Sequence, residues 1–311
     1  MVFGVPIGRN ERNRALPVGD GRFGRGSRKL FALAALTLAI AGNPAGAPTA
    51  SAQSSTAGPA EAVPRFGDPR GKPEKPSEPV RTIRFLTGSA FPPFNFVDST
   101  GQLNGFNIEL ARAICRQLKA VCTIQAEPFD KLVEALHENK GDAIIAGLSQ
   151  SGNNAPDLAF TIAYLRLPGR FAVRKDAGIR ADPAGLSGRT VSVIAQTAHE
   201  AYLKAYFPKI RIVAEKTAEA AREALKQGKV DAYFGDAMSL SFWLIGTGSD
   251  KCCQFSGGPH LERFYFGDGL AIATARNNTV LLANLNYALS EIVGSPQFAD
   301  LYERFFPLGF Y

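Results

Sequence analysis

The sequence predicts an α/β fold built as two lobes, and three observations carry that prediction. From Arg81 onward, short β-like runs alternate with amphipathic helical segments. The alternation occurs twice, once before and once after Pro183. A helical tail then follows with no sheet of its own to pack on.

The first copy opens with residues 82–87 (TIRFLT), which alternate in side-chain character as a strand does. Residues 107–118 (NIELARAICRQL) place Ile108, Ala111 and Cys115 on one face, with Leu110, Ile114 and Leu118 beside them, the spacing of a helix. A strand at 122–126, a helix at 130–138 and a strand at 143–146 complete a βαβαβ series, which predicts a largely parallel sheet. The second copy runs strand 190–194, helix 198–207, strand 210–213, helix 218–227, strand 230–234 and helix 238–245. Each copy is about ninety residues, within the usual size range of a domain. The tail helices near 280–293 and 297–305 must pack on something already built, and the simplest arrangement returns them to the first lobe. Crossover strands are then expected near 171–174 and 269–273, a natural hinge for closure around a ligand. The boundaries are 81–172 with 270–311 for the first lobe and 173–269 for the second.

Residues 1–52 read as a secretory signal peptide. A basic segment ending in Arg28-Lys29 precedes the apolar run 30–41, and small residues follow to Ala50-Ser51-Ala52, with cleavage expected before Gln53. About a dozen apolar residues are too few to span a bilayer of roughly 30 Å as a helix. Residues 53–80 are rich in Pro, Ser, Gly and charge and read as a disordered linker. The expected location is therefore the periplasm, with no membrane-spanning segment in the mature protein. The formal net charge of +7 does not argue for a nucleic-acid partner. Seven basic residues against Glu11 and Asp20 put most of it in the first 29 positions, inside the segment to be removed.

The stretches FPPFNF (91–96), GQLNGFNIELARAI (101–114), GDAIIAGLS (141–149), GRTVSVIAQTAHEAYL (188–203), KQGKVDAYFGD (226–236) and GDGLAIA (267–273) come in an ordered series. In that order they resemble the bacterial extracellular solute-binding proteins of family 3, the polar amino-acid type, over about three quarters of the chain. The resemblance implies a two-lobed periplasmic-binding-protein type II fold, with two Rossmann-like α/β lobes joined by two crossover strands. It implies a periplasmic binder that captures a small polar, amine-bearing, amino-acid-like ligand by lobe closure and passes it to ABC transporter permease subunits. No cofactor and no metal are implied, and a monomer is expected. The three His (His137, His199, His260) are scattered and no Cys-x-x-Cys is present, which also speaks against a metal site.

The same resemblance assigns the ligand-binding residues. Phe91 and Phe129 would be aromatic walls in the first lobe, where a ring face attracts an ammonium group; both could instead be core. Gly147 and Ser149 lie just past a strand end, where open α/β sheets bind their ligands, although Ser149 could equally cap a turn. Thr197 opens a helix whose N-terminus could hold an anion, or it is an N-cap only. Asp236 ends VDAYFGD at a strand's carboxyl edge, where the family's carboxylate binds the ligand ammonium.

Two positions depart from the family pattern. Asn154 stands where the family's Arg makes a bidentate bond to the ligand α-carboxylate, so either the ligand lacks that group or another cation serves. Arg166 and Arg170 are candidates, with a solvated hinge role as the alternative. Gly88 stands where relatives that bind basic amino acids carry an acidic residue, which disfavours Lys or Arg as ligand. A disulfide between Cys115 and Cys122 is implied by the basic amino-acid branch of the family. Cys252 and Cys253 are adjacent and form either a vicinal disulfide or two thiols. An accessory or sensor protein with a remodelled pocket, and an enzyme resembling cyclohexadienyl dehydratase, are the alternative functions.

Overall fold

The computed structural model describes residues 71–148 and 156–311. The segment predicted as a signal peptide, its expected cleavage site and most of the predicted linker lie outside the described residues.

The first lobe begins with β1 (Thr82–Thr87), then three short strands, β2 (Ala90–Phe91), β3 (Asn95–Val97) and β4 (Leu103–Asn104). Helix α1 (Phe106–Leu118), β5 (Val121–Ala126), α2 (Leu132–His137), β6 (Ala143–Ile144) and β7 (Leu158–Phe160) follow. The chain then enters a second sheet through β8 (Gly169–Arg174). That lobe contains β9 (Thr190–Ile194), α3 (Ala198–Tyr206), β10 (Arg211–Glu215), α4 (Ala218–Lys226), β11 (Ala232–Asp236), α5 (Ala237–Ile245), β12 (Cys253–His260) and α6 (Arg263–Phe266). The chain returns to the first sheet with β13 (Ala273–Ala275) and ends in α7 (Thr279–Ile292) and α8 (Pro296–Phe305).

The two sheets repeat one plan. The first has the order β5-β1-β6-β13-β7 and the second β10-β9-β11-β8-β12. In each, four strands run one way and one, β13 or β8, runs against them, so the sheets are largely parallel as expected from the sequence, with one antiparallel strand apiece. The antiparallel members are the strands by which the chain enters the second lobe and returns to the first. This also moves a boundary. Residues 171–174, expected as a crossover, lie within β8, inside the second sheet and paired on both sides. The segments that connect the sheets meet instead at Leu165 and Leu270, which pair antiparallel.

Helix starts follow from the local sequence. Thr197, Thr217, Asp236, Asn278 and Ser295 each accept a backbone N–H in the first turn of α3, α4, α5, α7 and α8, satisfying donors a helix end would otherwise leave open. Helix α1 is capped differently: the carbonyls of Pro93 and Phe94 accept from the N–H groups of Phe106 and Asn107, at 2.9 and 2.8 Å. Phe85, Phe94, Phe106, Leu285, Leu289, Phe298 and Phe306 are buried in one core cluster, so α7 and α8 pack on the first sheet and α1.

Cys115 and Cys122 are bonded, tying the end of α1 to the start of β5, and Cys252 and Cys253 are bonded to each other. Replacing both Cys115 and Cys122 with Ser is expected to cost about 2 kcal/mol, the loop-closure entropy of so short a ring. Urea unfolding of the variant against the oxidised wild type measures it, and an unchanged midpoint would rule out that contribution.

Candidate functional site

In open α/β sheets, ligands collect beyond the carboxyl ends of the strands. Four of the sequence-predicted residues lie near such ends, two in each lobe.

In the first lobe, β2 pairs with β3 so that Phe91 faces Asn95 across the hairpin. The Phe91 ring stacks on the buried Phe94, with centroids 4.9 Å apart and planes 21° off parallel. Gly147, just past β6, brings its backbone against that ring: its φ is +78°, and a Cβ there would lie 2.9 Å from Phe91 Cε1. Only glycine allows both the conformation and the approach. Phe91 and Gly147 therefore form one surface, a half-buried ring held from behind by Phe94. Phe129 opens a single turn between β5 and α2 and is 53% exposed, so it is not core. Ser149 and Asn154 lie outside the described residues.

In the second lobe, β9 and β11 are parallel neighbours, and each delivers a capping residue at its carboxyl end. The Thr197 hydroxyl donates to the Ile194 carbonyl at 2.7 Å and accepts from the Glu200 N–H at 3.3 Å. Its hydroxyl is thus engaged in capping α3, and what it can offer a ligand is the helix N-terminus it shapes. Asp236 accepts from the Ser239 N–H through Oδ1 at 2.8 Å. That bond fixes the carboxylate and leaves Oδ2 with no donor among the described residues. The next residue, Ala237, donates to the Pro168 carbonyl at 2.9 Å and is buried with Tyr164, Leu165 and Leu270. Asp236 is therefore anchored beside the paired connecting segments, the place where two lobes approach each other.

His199 lies in the first turn of α3. Its ring is held between Phe234 and Phe266, at centroid distances of 5.6 and 5.1 Å. Burial pushes the imidazole pKa down, against the pull of Asp236. A neutral ring beside Asp236 leaves that carboxylate's charge for a ligand. Phe266, which completes this wall, carried no sequence signal because it reads as part of a short irregular stretch.

Of the two cations considered as substitutes for the missing Arg, Arg170 is committed elsewhere. It is 8% exposed, donates to the carbonyls of Tyr311 and Gly257 at 3.0 and 2.6 Å, and stacks over Phe255 at 4.2 Å. It clamps the chain end to β12 and is not the solvated hinge residue the sequence suggested. Arg166 exchanges backbone hydrogen bonds with the Tyr311 hydroxyl and lies in the field of Asp268 and Arg263. Among the described residues no cluster of His, Cys, Asp or Glu could hold a metal ion, and no helix is long and apolar enough to cross a membrane.

Residues 83–308 match the bacterial extracellular solute-binding proteins, family 3. The chain belongs to this family. Among similar members of the family is the ABC transporter arginine-binding protein 1 of Escherichia coli K12, 29% identical over 72% of this chain and 90% of that protein. The histidine-binding periplasmic protein of Salmonella typhimurium is 28% identical over 74% of this chain and 89% of that protein. Among solved structures, the L-cystine solute receptor of Neisseria gonorrhoeae in its unliganded open conformation superposes with a TM-score of 0.61 at 16% identity, over 74% of this chain and 94% of that one. That likeness concerns the two-lobed type II fold alone. As a family 3 member the chain is a solute-binding protein and not an enzyme.

Proposed function

We propose that this family 3 protein captures a small polar, amine-bearing, amino-acid-like ligand in the periplasm and delivers it to the permease subunits of an ABC transporter. The observation that carries the reading is Asp236: a carboxylate at the carboxyl edge of the second sheet, fixed by one oxygen, beside the segments that join the lobes. The ligand docks on the first lobe against Phe91 and Phe129, with Gly147 and Ser149 offering backbone and hydroxyl groups. Closure then brings Thr197 and Asp236 over it. The closed form is favoured only with ligand present, because only then does one molecule bridge both lobes. Asn154 in place of a carboxylate-binding Arg lets the ligand be an amine without a free α-carboxylate. Residues 1–52 act as a cleaved signal peptide, 53–80 as a tether, and the mature protein works as a monomer.

Relatives named for arginine and histidine support an amine-bearing ligand as a class. A thermal-shift screen of the standard amino acids together with simple amines, amides and modified amino acids tests the reading. Stabilisation by amines is the expected result. A response confined to carboxylates or sugars would remove it.

A further inference from the structure

Gly88 follows directly on β1, the strand flanked by β5 and β6 in the first sheet, and is buried. A Cβ added there would have one neighbour within 4 Å, the side-chain nitrogen Nδ2 of Asn95 at 3.0 Å. The small gap at the strand's end is therefore bordered by a carboxamide. Asn95 is the first residue of β3, 1% exposed, and sits opposite Phe91 in the hairpin. Phe91, Gly88 and Asn95 thus share one corner of the first lobe.

The orientation of that carboxamide is determined from behind. The hydroxyl of Tyr164, fully buried, donates to Asn107 Oδ1 at 2.9 Å, and Asn107 Nδ2 donates to Asn95 Oδ1 at 2.9 Å. Burial keeps the phenol protonated. Reversing both amides would turn the Tyr164 hydroxyl into an acceptor and leave its proton without a partner among the described residues, the more costly arrangement for a buried group. The relay therefore runs one way, and it ends with the Asn95 N–H donors turned to the gap at Gly88.

We propose that Asn95 sets the ligand class: the far end of an amine held at Asp236 is a neutral hydrogen-bond acceptor, an amide or ureido oxygen, received by Asn95 Nδ2 in the space left by Gly88. The inference rests on the amine reading of Asp236 above and adds what the other end of the ligand must be. A guanidinium or ammonium in the same place would meet the N–H donors of Asn95. A donor facing a donor leaves both unpaired on closure, and such mismatches discriminate strongly. Tyr164 and Asn107 act as positioning residues, since they orient Asn95 without reaching the gap.

Calorimetry with two isosteric pairs tests the proposal: L-citrulline against L-arginine, and N-carbamoylputrescine against agmatine. The second pair lacks the α-carboxylate, so the outcome does not depend on what replaces the missing Arg. In whichever pair binds, the ureido member is expected to bind at least about tenfold tighter than the guanidinium member. Gly88→Asp is expected to invert that ranking by putting a carboxylate in the gap; its Cβ would lie 3.0 Å from Asn95 Nδ2, a contact relieved by a small shift of that amide. Tyr164→Phe, which frees the relay to flip, is expected to narrow the preference while the protein stays folded. Equal or tighter binding of the guanidinium member by the wild-type protein overturns the proposal. So does an unchanged ratio in Gly88→Asp, or a ligand set consisting only of amines with no distal acceptor. If amines bind and Asp236→Ala removes them while the guanidinium member is preferred, the assignment of Asn95 fails and the amine reading stands. If no amine binds, both fail.

Discussion

Asp236→Ala is expected to abolish measurable capture of amine ligands, raising Kd by at least about 100-fold. In the closed state the carboxylate would face the ligand cation away from water, and deleting one partner of a desolvated charge pair costs about 2–5 kcal/mol. The same substitution removes the cap that Asp236 Oδ1 makes to the Ser239 N–H, about 1 kcal/mol of folding stability. The two effects are separable with Asp236→Asn. Asparagine caps a helix as well as aspartate does, so the urea midpoint of that variant should stay close to wild type. Its charge is gone, so its amine affinity should fall with that of the alanine variant. Retained affinity in Asp236→Asn would show that the carboxylate is a capping group only and that the cation is held elsewhere. Placement beside the Pro168 carbonyl adds a kinetic expectation. Because Asp236 engages on closure, the substitution should act mainly on the rate of ligand release.

The residues that could be read in advance are those whose signal is local. The second-lobe strand at 190–194 was predicted to the residue, because an alternating run is followed at once by Gln196-Thr197 and a helix start. Asp236 was legible for the same reason: a strand ends and a helix begins around it. What could not be read depends on distant partners. Residues 171–174 read as a crossover strand between lobes, and only pairing with β11 and β12 places them inside the second sheet. Strand β12 carries Gly257-Gly258-Pro259, which speaks against a strand, yet it is an edge strand with an irregular register, where such residues are tolerated. The FPPFNF segment reads as a turn because its prolines lack N–H donors, although its flanks pair as β2 and β3. Asn95 inside it has no meaning in sequence. It becomes a candidate specificity residue only once Tyr164 and Asn107 stand behind it.

Gly105→Ala is expected to destabilise the protein by about 3–5 kcal/mol, combining left-handed backbone strain with overpacking. Gly105 has φ +130°, and an added Cβ would come within 2.3 Å of the Phe94 carbonyl oxygen and 2.8 Å of the Asn95 backbone nitrogen. These are backbone atoms, so no side chain can swing aside to relieve the contact. The crowded turn between β2 and β3 is also the one whose Pro93 and Phe94 carbonyls cap α1, so relief by moving it would uncover the N–H groups of Phe106 and Asn107. Phe94 in turn supports the Phe91 ring. The variant should therefore lose ligand affinity along with stability, although Gly105 is not among the groups assigned to the ligand. Gly101→Ala is the matched control. Its φ is +80°, but nothing lies within 4 Å of the added Cβ, so only the strain of the backbone remains, about 1 kcal/mol. Urea unfolding of the two variants side by side measures the difference. Equal midpoints would mean that the β2–β3 hairpin yields freely to α1, and the aromatic wall would then be far softer than its packing against Phe94 and Gly147 implies.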